Sequence, residues 1–309
     1  MKESEDMDSV IVLMSTYNGE QFIDEQLKSI FSQRGVDVSL VVRDDGSTDR
    51  TIDILKRWRI DHPIDIIEGN NLGYAKSFMT LLCFAGKADY YAFADQDDIW
   101  LDDKLIYAID LIKNEIKNFK EPSLYMSQAT IVDINLRPVN ARFHKRIIKV
   151  DSMIAHNFAI GCTMVFNAAM RDILATDIDR MELTAGHDYW CSCVAAAIGA
   201  KIIWDEEGRI LYRQHGNNAS GKIISIKQVW TALNKILIKW KNVRNSIVRH
   251  ILINYNNYLS EETKKVLLLA ANYKNNIKDY LKMVFSSSYT SNYLAADFIV
   301  KISIITGVF

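Results

Sequence analysis

Continuous apolar runs closed by polar turns alternate with amphipathic stretches over the first hundred residues. Val10 to Ser15 is such a run, ended by Thr16-Tyr17-Asn18-Gly19, after which Phe22, Leu27, Ile30 and Phe31 recur at helical intervals. That change of period predicts strand, loop and helix. The unit repeats: Val38 to Arg43 is a strand, Asp44-Asp45-Gly46-Ser47 a turn, and Thr51 to Trp58 a helix with Ile52, Leu55 and Trp58 on one side. Ser47 is its expected cap. Ile64 to Ile67 is a third strand, Gly69-Asn70-Asn71-Leu72-Gly73 leads into a helix over Tyr74 to Phe84, and Asp89 to Ala94 is a fourth strand. Such alternation predicts an α/β fold whose first half is a mostly parallel, Rossmann-like sheet with right-handed crossovers.

Beyond a helix from Leu101 to Phe119 the pattern is less regular. Strand-like pieces at 124–134, 161–166, 201–204 and 209–212 surround a helix from Asp188 to Ile198, so the sheet is expected to become mixed. From Ile226 onward the period is helical, with Trp230, Leu233, Leu237 and Trp240 on one face and Lys235, Lys239 and Lys241 around the others. Two regions are expected: 1–221 as the α/β domain and 222–309 as a helical C-terminal region.

Charge sharpens that division. The 309-residue chain is 49% apolar and 24% charged with net charge -1, an ordinary globular composition. Residues 222–309 carry 13 Lys and Arg against 4 acids, leaving the first 221 residues acidic by ten charges. Cys83, Cys162, Cys191 and Cys193 lack metal-ligand or redox spacing, which fits reduced thiols in the cytoplasm. The acidic N-terminus shows no secretory signal, and no stretch reaches the roughly 18 uninterrupted apolar residues of a membrane span.

Candidate chemistry lies at the ends of the predicted strands. Asp95-Gln96-Asp97-Asp98 places three carboxylates within four positions directly after the fourth strand. Ligands of open α/β sheets collect at the carboxyl ends of the strands, and clustered carboxylates there call for a hard cation, in company with a phosphate. Thr16, Asn18 and Glu20 follow the first strand, Asp44 and Asp45 the second, and Asn70, Asn71 and Lys76 the third, so these side chains are expected to converge on one rim. Asp44 or Asp45 can accept the imide hydrogen of a pyrimidine or ribose hydroxyls, and Asp95 and Asp97 can divide sugar hydroxyls and cation between them. Plainer alternatives stand beside each reading. Asp98 or Asp102 can cap the next helix, Asp44-Asp45-Gly46-Ser47 can be a turn chosen for its backbone, and His187 or Asp188 can cap the helix from Tyr189.

Five motifs together, Val10–Asn18, Arg43-Asp44-Asp45-Gly46-Ser47-Thr48-Asp49, Asn71-Leu72-Gly73, Asp95-Gln96-Asp97-Asp98-Ile99-Trp100 and His187-Asp188-Tyr189-Trp190, resemble in order and spacing the family-two inverting glycosyltransferases of GT-A fold. The resemblance covers roughly residues 8 to 221. His187-Asp188-Tyr189-Trp190 with Tyr212-Arg213-Gln214-His215-Gly216-Asn217-Asn218 is similar to the rhamnosyltransferase-like branch, which builds bacterial O-antigen and other surface polysaccharides. The resemblance implies a nucleotide-sugar donor, with dTDP-L-rhamnose favoured, Mg²⁺ or Mn²⁺ on its diphosphate, and a lipid-linked saccharide acceptor. It also implies residue roles. Thr16, Tyr17 and Glu20 match the nucleotide-facing first loop, Asp45 the base- or ribose-binding acid, and Asp95 and Asp97 the Asp-x-Asp pair around Gln96. Asp97 is the principal metal ligand, His215 a further metal or diphosphate contact, and Asp188 the catalytic base. Lys76 stands where many relatives carry an Arg, and a Lys gives no planar bidentate contact.

A UDP-hexose donor is the near alternative, and a non-catalytic nucleotide-sugar binding protein the more distant one. A Rossmann dehydrogenase is disfavoured, because the first strand lacks the Gly-rich pyrophosphate turn. Basic helices without a reader fold or aromatic stacking array suit the anionic inner leaflet of a membrane better than nucleic acid. The expected location is cytoplasmic and peripheral to that membrane. The oligomeric state is not encoded in any visible motif.

Overall fold

The computed structural model describes residues 7–139, 147–176, 185–214, 243–291 and 294–309. It divides into two compact units, Met1–Arg142 with Ala159–Asp188 and Ala200–His215, and Phe143–Phe158 with Tyr189–Gly199 and Gly216–Phe309. The sequence expectation was a single break at 221. Two short internal stretches are instead grouped with the C-terminal helices, and residue 221 itself lies outside the described residues.

The first unit is a seven-stranded sheet. In chain order its strands are β1 (Asp8–Thr16), β2 (Val36–Asp44), β3 (Ile64–Glu68), β4 (Tyr90–Ala94), β6 (Ser123–Ser127), β8 (Val165–Asn167) and β9 (Lys201–Asp205), arranged as β3-β2-β1-β4-β8-β6-β9. The uninterrupted apolar runs of β1 and β4 lie at its centre, buried on both faces as parallel strands are. Among the described strands of this sheet, β8 alone runs antiparallel to its neighbours, β4 and β6. Helices α1 (Ile23–Phe31), α2 (Thr51–Trp58), α3 (Tyr74–Phe84), α4 (Lys104–Glu115) and α6 (Ala168–Ala175) belong to the same unit. Ile23, Leu27, Leu55, Leu105, Ile109 and Ile112 from three of them join Val12, Met14 and Val42 in one core. A three-stranded sheet, β5 (Ile99–Trp100), β10 (Ile210–Arg213) and β7 (Thr130–Val132), completes it.

This order fixes where a ligand can enter. The chain steps outward from β1 to β2 and β3, then returns to lay β4 on the other side of β1, so the carboxyl ends of β1 and β4 flank a topological switch point. Antiparallel β8 brings its beginning, not its end, to the same edge: Ala92 pairs with Val165, and Phe93 N–H donates to Met164 O at 3.4 Å. The turn Gly161–Thr163 is thereby carried to the acidic motif.

Several expected elements are corrected. The run at 124–134 is two strands in different sheets, β6 and β7. Its strand-like neighbour at 161–166 opens as a 3-10 turn before β8. The helix expected from Leu101 begins only at Lys104, because Ile99 and Trp100 pair with β10. Ser47 does not cap α2, whose N-terminal flank is Arg50 and has no side-chain cap. The apolar face expected around Trp230 lies outside the described residues.

In the second unit are α5 (Val150–Ala155), α8 (Val243–Asn254), α9 (Glu261–Asn272), α10 (Ile277–Phe285) and α11 (Leu294–Ile305). The division between units falls inside α7 (His187–Ala197), after Asp188. Trp190 and Tyr255 pack edge to face 6.1 Å apart in this unit, and Arg244 Nε donates to Ala155 O at 3.0 Å. No described helix is long and apolar enough to cross a membrane.

Candidate active site

The loops after β1 and β2 are laced together before any ligand is considered. Thr16, buried, donates its hydroxyl to Asp44 Oδ2 at 2.9 Å. Asp44 also accepts from Gly46 N–H, Ser47 N–H and the Ser47 hydroxyl, a closed turn around one carboxylate. Asn18 adopts φ 48 and accepts from Thr48 N–H, while Glu20 Oε2 accepts from Arg50 N–H and Nε at 3.1 Å each. Thr16 and Glu20 therefore reach the rim with hydrogen-bond partners already in place. Tyr17 keeps 49% of its surface exposed.

Asp45 is anchored most firmly. It pairs with the buried Arg43 guanidinium and accepts from Leu72 N–H at 2.9 Å and Gly73 N–H at 2.8 Å. Arg43 reaches on to Asn70 O at 2.8 Å, passing so close to Gly69 that a Cβ there would stand 2.8 Å from the guanidinium. A carboxylate so employed holds the loop after β3 against the loop after β2. Lys76 lies exposed on the first turn of α3, the helix that this loop introduces.

Across the switch point Gln96 forms a two-way clamp. Its Oε1 accepts from Tyr17 N–H at 2.9 Å and its Nε2 donates to Tyr17 O at 3.0 Å, joining the end of β4 to the end of β1. Gly19 leaves room for this amide, since a Cβ there would fall 2.3 Å from Gln96 Oε1.

The acidic motif is the opposite of these satisfied loops. Burial, then the neighbouring charges of Asp97 and Asp188, push the Asp95 carboxyl up to about 7. Asp98, buried, is pushed well above the carboxylate range by burial and then by Asp95 and Asp97. Its Oδ1 accepts from Arg213 N–H at 3.1 Å, but its Oδ2 has no hydrogen-bond partner among the described residues. The motif is braced from β10, where Arg213 Nε donates to Asp97 O at 3.0 Å and its far nitrogen meets Glu25 at 2.6 Å. Asp95, Asp98 and Cys162 offer ligand atoms within 4.8 Å of one another. Crowded carboxyls with a spare buried oxygen are a donor set that fits a hard divalent cation. His215 lies outside the described residues.

Asp188 enters from the first turn of α7 and is close enough to raise both the Asp95 carboxyl and the Tyr74 phenol, the phenol chiefly by burial. His187 beside it stacks on Phe78 at 4.0 Å and meets Phe93 edge-on at 4.9 Å. Burial holds its imidazole down at about 3, so the ring is neutral. Glycines at 161 and 186 make way for this pair: a Cβ at Gly161 would stand 2.5 Å from His187 Nε2, and one at Gly186 2.4 Å from Asp188 Oδ1.

Asp95, Asp97 and Asp188 thus meet at one edge of the switch point, with a buried thiol and a phenol beside them. A model of glycosyl transferase family 2 matches residues 11–174, which carry β1 to β8 and the acidic motif. The chain belongs to that family. Among its similar relatives is the dTDP-rhamnosyl transferase RfbG of Shigella flexneri, which is 31% identical over 243 residues, 74% of this chain and 80% of that protein. Solved structures show the same GT-A architecture. S. aureus TarS 1-349 in complex with UDP-GlcNAc has a TM-score of 0.55 at 19% identity over 97% of this chain and 93% of that one. The mannosyltransferase PcManGT of Pyrobaculum calidifontis, in complex with GDP-Man and Mn²⁺, has a TM-score of 0.53 at 16% identity over 97% and 88%.

Within this candidate site, sequence reasoning passed over Tyr74, Cys162 and Arg213 as site residues. Tyr74 carried a usable signal, being the first helical residue after the Asn71-Leu72-Gly73 loop. Cys162 carried none, because nothing in its neighbours declares that β8 runs backwards.

Proposed function

We propose that this glycosyltransferase is a metal-dependent, inverting rhamnosyltransferase that moves L-rhamnose from dTDP-L-rhamnose to a lipid-linked saccharide in bacterial surface-polysaccharide or O-antigen synthesis. The observation that carries the reading is that Asp188, from a separate element, and Asp97 both act on the buried Asp95. The donor follows from likeness to the Shigella rhamnosyl transferase. The basic C-terminal region supports a lipid-linked acceptor, met at the cytoplasmic face of a membrane.

In this mechanism Asp188 accepts the proton of the acceptor hydroxyl as its oxygen bonds to the anomeric carbon, and the bond from that carbon to the diphosphate breaks on the opposite face. General-base assistance of this kind is worth about 10² to 10⁴ in rate. Asp97 and Asp95 would hold Mg²⁺ or Mn²⁺, which when bound supplies charge neutralisation for the diphosphate. Asp98 adjoins that pair in the motif, and His215 is kept as the further metal or diphosphate contact that the resemblance implies. Tyr17, clamped by Gln96, offers its ring to the nucleoside, and Asp45 keeps the Leu72-Gly73 loop in position beside it while Thr16 and Glu20 fix the loop that carries Tyr17. Lys76 is assigned to the phosphates as a point charge.

Incubation with a panel of sugar nucleotides and Mn²⁺ tests the donor. Release of dTDP from dTDP-L-rhamnose alone supports the proposal; turnover of a UDP-hexose alone replaces the donor, and binding without turnover of any donor makes the chain a nucleotide-sugar binding protein.

A further inference from the structure

The second unit exposes large apolar side chains on two helices. On α10, Ile277, Leu281 and Phe285 recur every fourth residue and keep 72%, 44% and 80% of their surface. Positions four apart lie within about 40° on a helix, so these three form one stripe. Lys278 and Lys282 are exposed along its edge, whereas Met283 on the far side is fully buried. The acid of this helix, Asp279, is half-buried, accepts from Asn276 and pairs with Lys282 at 3.2 Å. On α11, Leu294 and Phe298 are exposed at 87% and 63% in the same four-residue spacing.

The two helices form an antiparallel pair. Tyr280 OH donates to Ile305 O at 2.9 Å, and Lys301 Nζ donates to Val284 O at 3.1 Å and to Ser286 O, closing the C-terminal end of α10. The stripes are therefore carried on a fixed hairpin.

We propose that this hairpin docks the protein on an anionic bilayer, Ile277, Leu281 and Phe285 entering the headgroup boundary while Lys278 and Lys282 meet the lipid phosphates. Charge complementarity chooses this occupant. Two copies packed through the same stripe about a two-fold axis would bring Lys278 and Lys282 against their own counterparts, whereas anionic headgroups meet them with opposite sign. The surplus of 13 basic over 4 acidic residues in 222–309 acts in the same direction. The purpose of docking rests on the lipid-linked acceptor proposed above; the test does not.

Flotation of the full chain with phosphatidylcholine vesicles, with and without phosphatidylglycerol, reads the interaction without donor or acceptor. The parent is expected to float only with phosphatidylglycerol. Leu281→Asp with Phe285→Asp should weaken partition at least about tenfold, and each of Lys278→Gln and Lys282→Gln about fivefold. Phe84→Asp on α3, a residue 64% exposed, is the control and should float as the parent does. Thermal melts check that the variants fold. The proposal is overturned if the parent stays with the soluble fraction, if the double variant floats undiminished, or if sedimentation shows a dimer that the double variant dissolves. Release of dTDP, measured separately on the same proteins, reports on the donor assignment and is expected to be unchanged in every variant.

Discussion

Replacing Gly186 by alanine should separate catalysis from binding and from folding. The added Cβ would stand 2.4 Å from Asp188 Oδ1 and 3.6 Å from the Tyr74 hydroxyl. Ordinary contact begins near 3.4 Å, so the carboxylate must retreat by about 1 Å, a displacement that costs about 10² in rate when it befalls a reacting group. That corresponds to about 2.7 kcal/mol in the barrier. Gly186 is not among the glycines with positive φ, and the atom it displaces is the end of a rotatable side chain, so the fold has no reason to suffer. Loss of glycine's freedom in the unfolded chain should even add about 0.4–1 kcal/mol of stability. The assay is steady-state transfer with donor binding by calorimetry and a thermal melt. Expected are a kcat down about 100-fold, an unchanged donor affinity and an unchanged or higher Tm. Gly86→Ala, whose Cβ would meet only Ile11 Cδ1 at 3.8 Å, should leave all three alone. A Gly186→Ala enzyme with the parent's kcat would refute the placement of the base at Asp188.

Four further outcomes are expected. Asp188→Asn should lower transfer by about 10² to 10⁴ while donor binding persists, and undiminished transfer would remove the base assignment. Asp97→Ala should abolish the dependence of donor affinity on Mn²⁺; in the parent, equal affinity with and without chelator would dismiss the metal role. Asp45→Ala leaves the buried Arg43 guanidinium without its partner and should cost about 3–5 kcal/mol in urea unfolding, against little change if Asp45 serves the donor alone. His187, held at about 3 in the fold against an ordinary 6.5, binds its proton first in the unfolded chain, so it removes stability at about 1.4 kcal/mol per pH unit as pH falls from 6.5 toward 3. His187→Leu should flatten that part of the profile, and a slope identical to the parent's would show that the ring is not buried neutral.

Hydrophobic pattern was sufficient wherever an element's neighbours lie on both faces. β1 and β4 read as unbroken apolar runs, and α2 and α3 begin and end at the residues their periodicity indicates. It was insufficient where burial is uniform but partners change. From Leu124 to Val132 most side chains are buried, yet the backbone turns at Gln128–Ala129, where Gly208 lies against it so tightly that a Cβ would approach three backbone atoms at 3.0 Å. An apolar run announces an interior, not which sheet fills it. The direction of β8 was equally silent, and with it the arrival of Cys162 beside the acids.

The acidic residues teach a similar distinction between presence and availability. Asp44, Asp45, Asp95, Asp97 and Asp98 all lie at or just beyond strand ends and all look alike as letters. In the fold Asp44 accepts from Thr16, Gly46 and Ser47, and Asp45 from Arg43, Leu72 and Gly73, so both act as fasteners of the rim. Asp95 instead has its carboxyl raised by burial, Asp97 and Asp188, and Asp98 by burial, Asp95 and Asp97, while Asp98 retains an oxygen without a hydrogen bond among the described residues. One side of the switch point is closed by hydrogen bonds, and the other gathers buried carboxyls whose hold on a proton is strengthened by burial and by neighbouring acids. A donor of nucleoside and diphosphate has the same asymmetry, a flat neutral ring at one end and concentrated charge at the other. Under the proposed mechanism the ring would lie beside Tyr17 and the Leu72-Gly73 loop and the diphosphate beside Asp95 and Asp97, so a substitution at Tyr17 should weaken nucleoside binding while one at Asp97 should weaken only the part of donor binding that depends on Mn²⁺.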